Sequence, residues 1–207
     1  KRELADDAIY LERELCNEAG GVQDQIAVAF GGFNRIDFSA DGYQVTPVVM
    51  SNERKEILND NLMMFFTGFS RFSSDIQTST QAVLKDKTAQ LLEMYSLVDT
   101  AQGILTDKNS DLNDFGRLLD HNWKLKRGIT TRISTNSLDE IYEKAMSAGA
   151  LGGKLLGAGG GGFFVFYVEP EKRKSVMQAL DKLLYIPFRF EDSGTRVIYF
   201  DAEDYQI

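Results

Sequence analysis

The sequence predicts an α+β fold, and three observations carry that expectation. Alternating apolar and polar residues on either side of Asp41-Gly42 mark a β-hairpin. Apolar residues at helical spacing run through residues 73–127. The last third reads strand, helix, strand, strand. Helices and antiparallel strands are therefore mixed, not regularly alternating, which is the pattern of an α+β architecture.

In chain order, Leu4, Ala8, Leu11 and Leu15 keep helical spacing among charged residues, so the chain opens inside a helix. No capping residue precedes that helix, which leads us to expect a preceding part of the protein outside this sequence. After Gly20-Gly21 a short apolar helix is expected over residues 23–29, closed by Gly31-Gly32. Residues 33–38 and 43–49 form the two arms of the hairpin. The continuous apolar run of residues 62–66, with Met63-Met64 and Phe65-Phe66, reads as a buried strand ending at Thr67-Gly68. The helical pattern that follows runs through Ile76, Val83, Leu91-Leu92, Tyr95 and Leu97-Val98, then Leu112, Phe115, Leu118-Leu119 and Trp123. A helix over residues 139–148 is announced by Ser137 and Glu140, spaced as a capping box. Residues 163–168 read as a strand and 171–184 as an amphipathic helix. Residues 188–190 and 197–200 read as strands flanking Asp192-Ser193-Gly194.

Composition narrows the function. The chain has 207 residues, 43% hydrophobic and 26% charged, which is ordinary for a globular protein and excludes general disorder. No run of about 18 apolar residues is present, so no membrane span is expected. A formal net charge of −8 lacks the electrostatic footprint of a nucleic-acid binder. Any anion must be held by a local cluster. The single Cys16 excludes an internal disulfide and a cysteine-based zinc site, and no secretory segment follows Lys1, so a cytoplasmic location is expected. Cys16 itself reads as a small core residue, and His121, without a matching base, nucleophile or metal partner, as a helix-surface residue. Glu53 to Glu56 and Glu191-Asp192 read as solvated acidic faces.

The most unusual stretch runs from Gly152 through Lys154 to Gly162. Gly157, Gly159 and Gly162 formally satisfy G-x-G-x-x-G, but a strand follows where a dinucleotide-binding fold needs a helix. No H-R-D or D-F-G segment accompanies it, as a protein kinase requires. Phe163 stands where a Walker loop needs Lys and Ser or Thr. A tight turn explains such a loop, but four consecutive glycines are entropically costly, so backbone approaching a ligand or another loop is the stronger expectation.

Residues Gly153 to Phe163 resemble the third, C-terminal signature of the GHMP kinases, and Gly20-Gly21-Val22-Gln23-Asp24-Gln25 resembles the segment carrying the catalytic aspartate in their sugar and mevalonate branches. Further similar text runs through Phe30-Gly31-Gly32-Phe33-Asn34, Thr67-Gly68-Phe69-Ser70-Arg71, Trp123 to Arg127 and Gly149 to Lys154, which is nearest to the heptose 7-phosphate branch. The second signature, a P-x-x-x-G-L-G-S-S-A type loop around the ATP phosphates, is absent and belongs upstream of Lys1 with the first.

The resemblance implies the end of a GHMP N-terminal domain over residues 1–58 and a ferredoxin-like C-terminal domain over 59–207, with the site in the cleft between the two domains. It implies an ATP-dependent sugar kinase acting on the anomeric hydroxyl of D-glycero-D-manno-heptose 7-phosphate. ATP is then the co-substrate, with Mg²⁺ bridging its phosphates through ligands mostly outside this chain. The partners are sugar phosphate, ATP and the missing N-terminal part, with no nucleic acid and no membrane. As it stands, the chain should not bind ATP well. Asp24 would accept the hydroxyl proton; read from the residues alone, it is a helix-end aspartate favoured by the dipole. Gln23, Gln25, Ser70, Arg71, Lys126 and Lys154 would contact substrate, with Arg71 suited to a bidentate phosphate contact. Gly157, Gly159, Gly160, Gly161 and Gly162 would form the phosphate-facing loop. Another GHMP sugar or small-metabolite kinase, or a non-catalytic sugar-binding or interaction module, is the alternative.

Overall fold

A computed structural model describes residues 1–18, 20–68, 83–130 and 133–201. The chain forms two compact units, one of Lys1–Pro47 with the described residues from Phe190 onward, the other of Val48–Arg189. The chain passes from the first unit to the second at Pro47/Val48 and returns to the first from Phe190 onward. Among the described residues no helix is long and apolar enough to cross a membrane.

In the first unit, helix α1 (Arg2–Tyr10) continues into a π-turn at Leu11–Leu15, and α2 (Gln23–Phe30) leads to the antiparallel hairpin β1 (Asn34–Ser39) and β2 (Gly42–Pro47). Its core is small: Ala5, Ile26 and Ala29, with Ile9, Val22, Ile36, Tyr43 and Val45 against them. The buried face of α1 thus passes through Ala5 and Ile9, while the Leu4, Leu11 and Leu15 stripe read from sequence stays exposed. Cys16 is exposed too, contrary to its reading as a core residue. Arg2 stacks over the Tyr43 ring at 4.6 Å and the Tyr43 hydroxyl donates to Asp6 at 2.7 Å, which ties α1 to the hairpin. The returning segment is bonded along α2 and its end: the Gly32 amide donates to the Glu191 carbonyl (2.8 Å) and the Thr195 amide to that of Val28 (2.9 Å). At Gly31, with φ +68°, a Cβ would lie 1.9 Å from the Gly194 nitrogen, so only glycine permits this crossing.

The second unit begins with α3 (Asn52–Asn61), capped by the Ser51 hydroxyl, which accepts from the Arg54 amide at 3.2 Å. This helix was not read from sequence, because Ile57 and Leu58 alone are too few apolar residues to mark a period. Strand β3 (Leu62–Phe66), helices α4 (Thr88–Thr106), α5 (Asn113–Arg127) and α6 (Asn136–Ser147), strands β4 (Gly152–Leu155) and β5 (Phe163–Tyr167), helix α7 (Arg173–Ala179) and strand β6 (Leu184–Ile186) follow. The strands form one antiparallel sheet ordered β4-β5-β3-β6. Its core face carries Met63, Phe65, Leu155, Phe164 and Phe166 against Trp123, Ile133, Leu138 and Tyr142. Trp123 meets Phe164 edge-on at 5.6 Å, an arrangement that adds to plain area burial.

The structure departs from the sequence reading at four further places. The helical run over 73–127 is interrupted between α4 and α5, where Asp107 and Asp111 carboxylates accept from the Asn109 and Asn113 amides and so compete with the helix; its first part, to residue 82, lies outside the described residues. The cap of α6 is Thr135, whose hydroxyl accepts from the Leu138 amide, and Ser137 lies inside the helix. The helix over 171–184 is shorter: a 3₁₀ turn at Pro170–Lys172 precedes α7, which ends at Ala179, and Leu184 is already in β6. Residues 188–190 and 197–200 are not strands, because no described neighbour offers them a ladder. His121 sits half-exposed on α5 with its Nε2 2.7 Å from Glu93 Oε1 of α4, as a helix-surface residue should.

Arg54 joins α3 to the end of α4. Its Nε bonds the Leu105 carbonyl at 3.0 Å, and its Nη2 bonds those of Ile104 at 2.6 Å and Ser110 at 2.8 Å. The Ile104 and Leu105 carbonyls lie in the last turn of α4, where carbonyls lack intrahelical partners, and a charged donor satisfies them; Ser110 is in the loop that follows. Arg54→Ala is expected to lower stability by about 2–3 kcal/mol, and Arg54→Lys to recover only part of that because lysine lacks the fork. Urea denaturation of the three proteins checks this.

Candidate functional site

Strands β4 and β5 pair with Lys154 opposite Val165 and Leu155 opposite Phe164, and the Leu156 amide donates to the Phe163 carbonyl at 2.8 Å. The glycine stretch is therefore the loop of a β-hairpin, with positive φ at Gly157, Gly159, Gly160, Gly161 and Gly162. Three clamps hold it. The Gly160 amide donates to the Ile133 carbonyl (2.9 Å). The Gly162 carbonyl accepts from both the amide (2.8 Å) and the hydroxyl (3.0 Å) of Thr67. Lys126 Nζ donates to the Gly157 carbonyl at 2.6 Å. At Gly159, with φ +122°, a Cβ would lie 2.9 Å from both the Cα and the carbonyl oxygen of Ile133. Backbone here meets backbone. Among the described residues the amides of Ala158, Gly159 and Gly161 donate to no protein acceptor, so the loop keeps unspent donors of the kind that anions use.

Lys154 lies in the strand that feeds this loop. Residues directly opposite in a ladder share a face, so it stands in one row with Val165, Met64 and Ile186, on the face away from Phe164 and Phe166. Burial lowers the pKa of its ammonium from 10.5, and among the described residues no ion pair or hydrogen bond compensates. Between that lowered value and 10.5 the unfolded chain binds more protons at this site than the folded one. Stability therefore rises with pH across the window, the penalty being complete below it. Lys154→Met is expected to unfold at higher urea than the parent at pH 7 and to lose the alkaline rise, which titrations from pH 7 to pH 10 test.

The other residues named from sequence are placed as follows. Asp24 and Gln23 are exposed in the first turn of α2, where the helix dipole favours a carboxylate. Gln25 Nε2 bonds the Glu12 carboxylate, while its Oε1 is buried without a hydrogen-bond partner. Arg13 bonds the Gly20 carbonyl, fixing the turn before α2. At Gly21 a Cβ would lie 2.1 Å from Gln23 Oε1, so this glycine leaves room for that side chain. Asp24 is thus an accessible carboxylate on a braced helix end, chemically able to take a proton. Arg127, beside Lys126, pairs with Asp139 at 2.8 Å. Ser70 and Arg71 lie outside the described residues. Among the described residues no group of three or more His, Cys, Asp or Glu could hold a metal ion.

Sequence reasoning missed Thr67, Ile133 and Glu12, the residues that brace the loop and the α2 turn. Thr67 ends an apolar run beside a glycine, which was a visible signal. Ile133 acts through its carbonyl and Glu12 through a contact across the fold, and neither leaves a local pattern.

Residues 101–186 match the family described as GHMP kinases C terminal. The D-glycero-alpha-D-manno-heptose 7-phosphate kinase of Campylobacter jejuni is 32% identical over 182 residues, which is 87% of this chain and 53% of that protein. The crystal structure of a D-glycero-D-manno-heptose 1-phosphate kinase from Bacteriodes thetaiotaomicron superposes with a TM-score of 0.65 at 28% identity, covering 92% of this chain and 52% of that one. The mevalonate kinase of Methanococcus jannaschii, with a TM-score of 0.70 at 23% identity over 91% of this chain and 56% of its own, shares the fold. The chain spans about half the length of each of these three proteins. Residues 101–186, which hold the glycine hairpin between β4 and β5, therefore belong to the family of the GHMP kinase C-terminal domain.

Proposed function

We propose that the protein containing these residues is an ATP-dependent kinase that phosphorylates the anomeric hydroxyl of a heptose 7-phosphate. The observation that carries this reading is the clamped glycine hairpin of a GHMP domain, with its unspent Ala158, Gly159 and Gly161 amides. Similarity to the Campylobacter heptose 7-phosphate kinase supports the choice of sugar.

In this reading the anomeric oxygen attacks the γ-phosphorus of ATP as its proton passes to the Asp24 carboxylate. The bond from that phosphorus to the bridging oxygen breaks, and ADP leaves. Catalysis is then mainly positioning and charge stabilisation. Gln23 and Gln25 hydrogen-bond the sugar. Ser70 and the Arg71 fork hold its 7-phosphate. The loop amides and the Lys154 ammonium face phosphate oxygens, and Lys126 positions the loop through the Gly157 carbonyl. Mg²⁺ supplies charge neutralisation on ATP when bound, and no residue described here is assigned as its ligand. Residues 1–207 alone do not turn over, because the loop that wraps the ATP phosphates is not among them.

A coupled ADP-release assay of the full-length protein across a panel of sugar phosphates, free sugars and mevalonate tests the reading. Heptose 7-phosphate is expected to give a kcat/KM at least about tenfold above every other acceptor, the scale of one charge-assisted contact. Equal or higher values for another acceptor, or no turnover with any, would overturn it.

A further inference from the structure

The glycine hairpin cannot fix its own shape. Of residues 157–162 only Ala158 carries a side chain, whose methyl packs against the core, and Gly159, Gly160, Gly161 and Gly162 all have positive φ. Glycine backbone has the widest choice of conformations, so whatever holds this stretch must come from outside it. In its middle the tie is backbone to backbone, from the Gly160 amide to the Ile133 carbonyl. Among the described residues, side chains hold the two ends: Lys126 at Gly157 and Thr67 at Gly162.

Thr67 is the less expected of the two. It follows the last residue of β3, and the pairing of Phe66 with Phe163 carries on to it, so that its amide reaches the Gly162 carbonyl at 2.8 Å. Alternation along the chain puts its side chain in the row of Met63 and Phe65, on the core face, where it is 3% exposed. Valine has the same branched shape, suits a strand end and buries no polar atom. The threonine hydroxyl nevertheless adds a second bond, at 3.0 Å, to a carbonyl that the amide already satisfies. Neither core packing nor the needs of the Gly162 carbonyl call for that hydroxyl. What it adds is a second direction of restraint on the residue beside Gly161, whose amide is one of the unspent donors.

We infer that Thr67 is a positioning residue: its hydroxyl holds the end of the glycine hairpin so that the Gly159 and Gly161 amides stay aimed at phosphate oxygens in the transition state. The inference rests on the proposed phosphoryl-transfer reading and deepens it. Donors of this kind act by being fixed in advance, and a misplacement of about 1 Å is enough to cost about 10²-fold in rate.

Thr67→Val and Thr67→Ser in the full-length protein test it. Thr67→Val keeps the amide bond to Gly162 and orphans no acceptor there, so the melting temperature is expected to stay within about 4 °C of the parent. With ATP and heptose 7-phosphate, kcat should fall about tenfold, the scale of one hydrogen bond, while the KM for the sugar stays within about twofold. Thr67→Ser, which keeps the hydroxyl, should recover kcat to within about threefold. Hydrogen exchange at the Gly160 amide should be at least about tenfold faster in Thr67→Val than in the parent or in Thr67→Ser. Parental kcat or parental exchange in Thr67→Val overturns the inference, as does an equal loss of kcat in Thr67→Ser. Collapse of the fold in Thr67→Val also overturns it, by making the hydroxyl structural. No turnover by the parent with any acceptor sinks the kinase reading, and the exchange comparison then decides by itself whether Thr67 positions the hairpin.

Discussion

Asp24→Asn is expected to lower kcat of the full-length protein by about 10²- to 10⁴-fold, the range for loss of a positioned proton acceptor. The KM for the sugar should stay within a few-fold, because the amide keeps the shape and one hydrogen-bonding oxygen. Stability should barely change: Asp24 is exposed in the first turn of α2, and its favourable interaction with the helix dipole is worth about 0.3–1 kcal/mol. This separates the two roles open to the residue. A helix-end aspartate predicts a small stability loss and near-normal turnover, whereas a proton acceptor predicts the reverse. Steady-state kinetics with a thermal melt decide between them.

Substitutions in the glycine hairpin should divide by position. Gly159→Ala must hold a side chain at φ +122° and press its Cβ to 2.9 Å from the Ile133 backbone, which cannot rotate away. A cost of about 2–4 kcal/mol is expected, from backbone strain and overpacking together, with activity lost as the Gly160–Ile133 clamp opens. Gly157→Ala also meets a positive φ, of +75°, but nothing lies within 4 Å of the added carbon. Its cost should be about 1–2 kcal/mol, from backbone alone. Chemical denaturation of both variants measures the difference, and equal losses would show that contact with Ile133 does not shape the loop.

Much of the fold was legible because its signals are local. The Asp41-Gly42 hairpin, the apolar run 62–66 and the strand after the glycines each carry their period within a few residues, and each appears as a strand. What was misread depends on partners distant in sequence. Residues 197–200 have strand composition but no ladder among the described residues, and α3 has a cap at Ser51 but too little apolar periodicity to be seen. Leu4, Leu11 and Leu15 have the right spacing, yet the small first-unit core takes Ala5 and Ile9 instead. In the candidate site, the glycines announced a loop by their cost. That Lys126 reaches the Gly157 carbonyl, 31 residues further along the chain, could not be read from either segment alone.

Phosphorus NMR of the products formed by the full-length protein from ATP and heptose 7-phosphate is the most direct test of the central claim. The account predicts ADP and one new sugar phosphate in equal amounts, its resonance split by the anomeric proton, with the original 7-phosphate signal retained. Release of inorganic phosphate without a new sugar signal, or a new phosphate on any other hydroxyl, would contradict it.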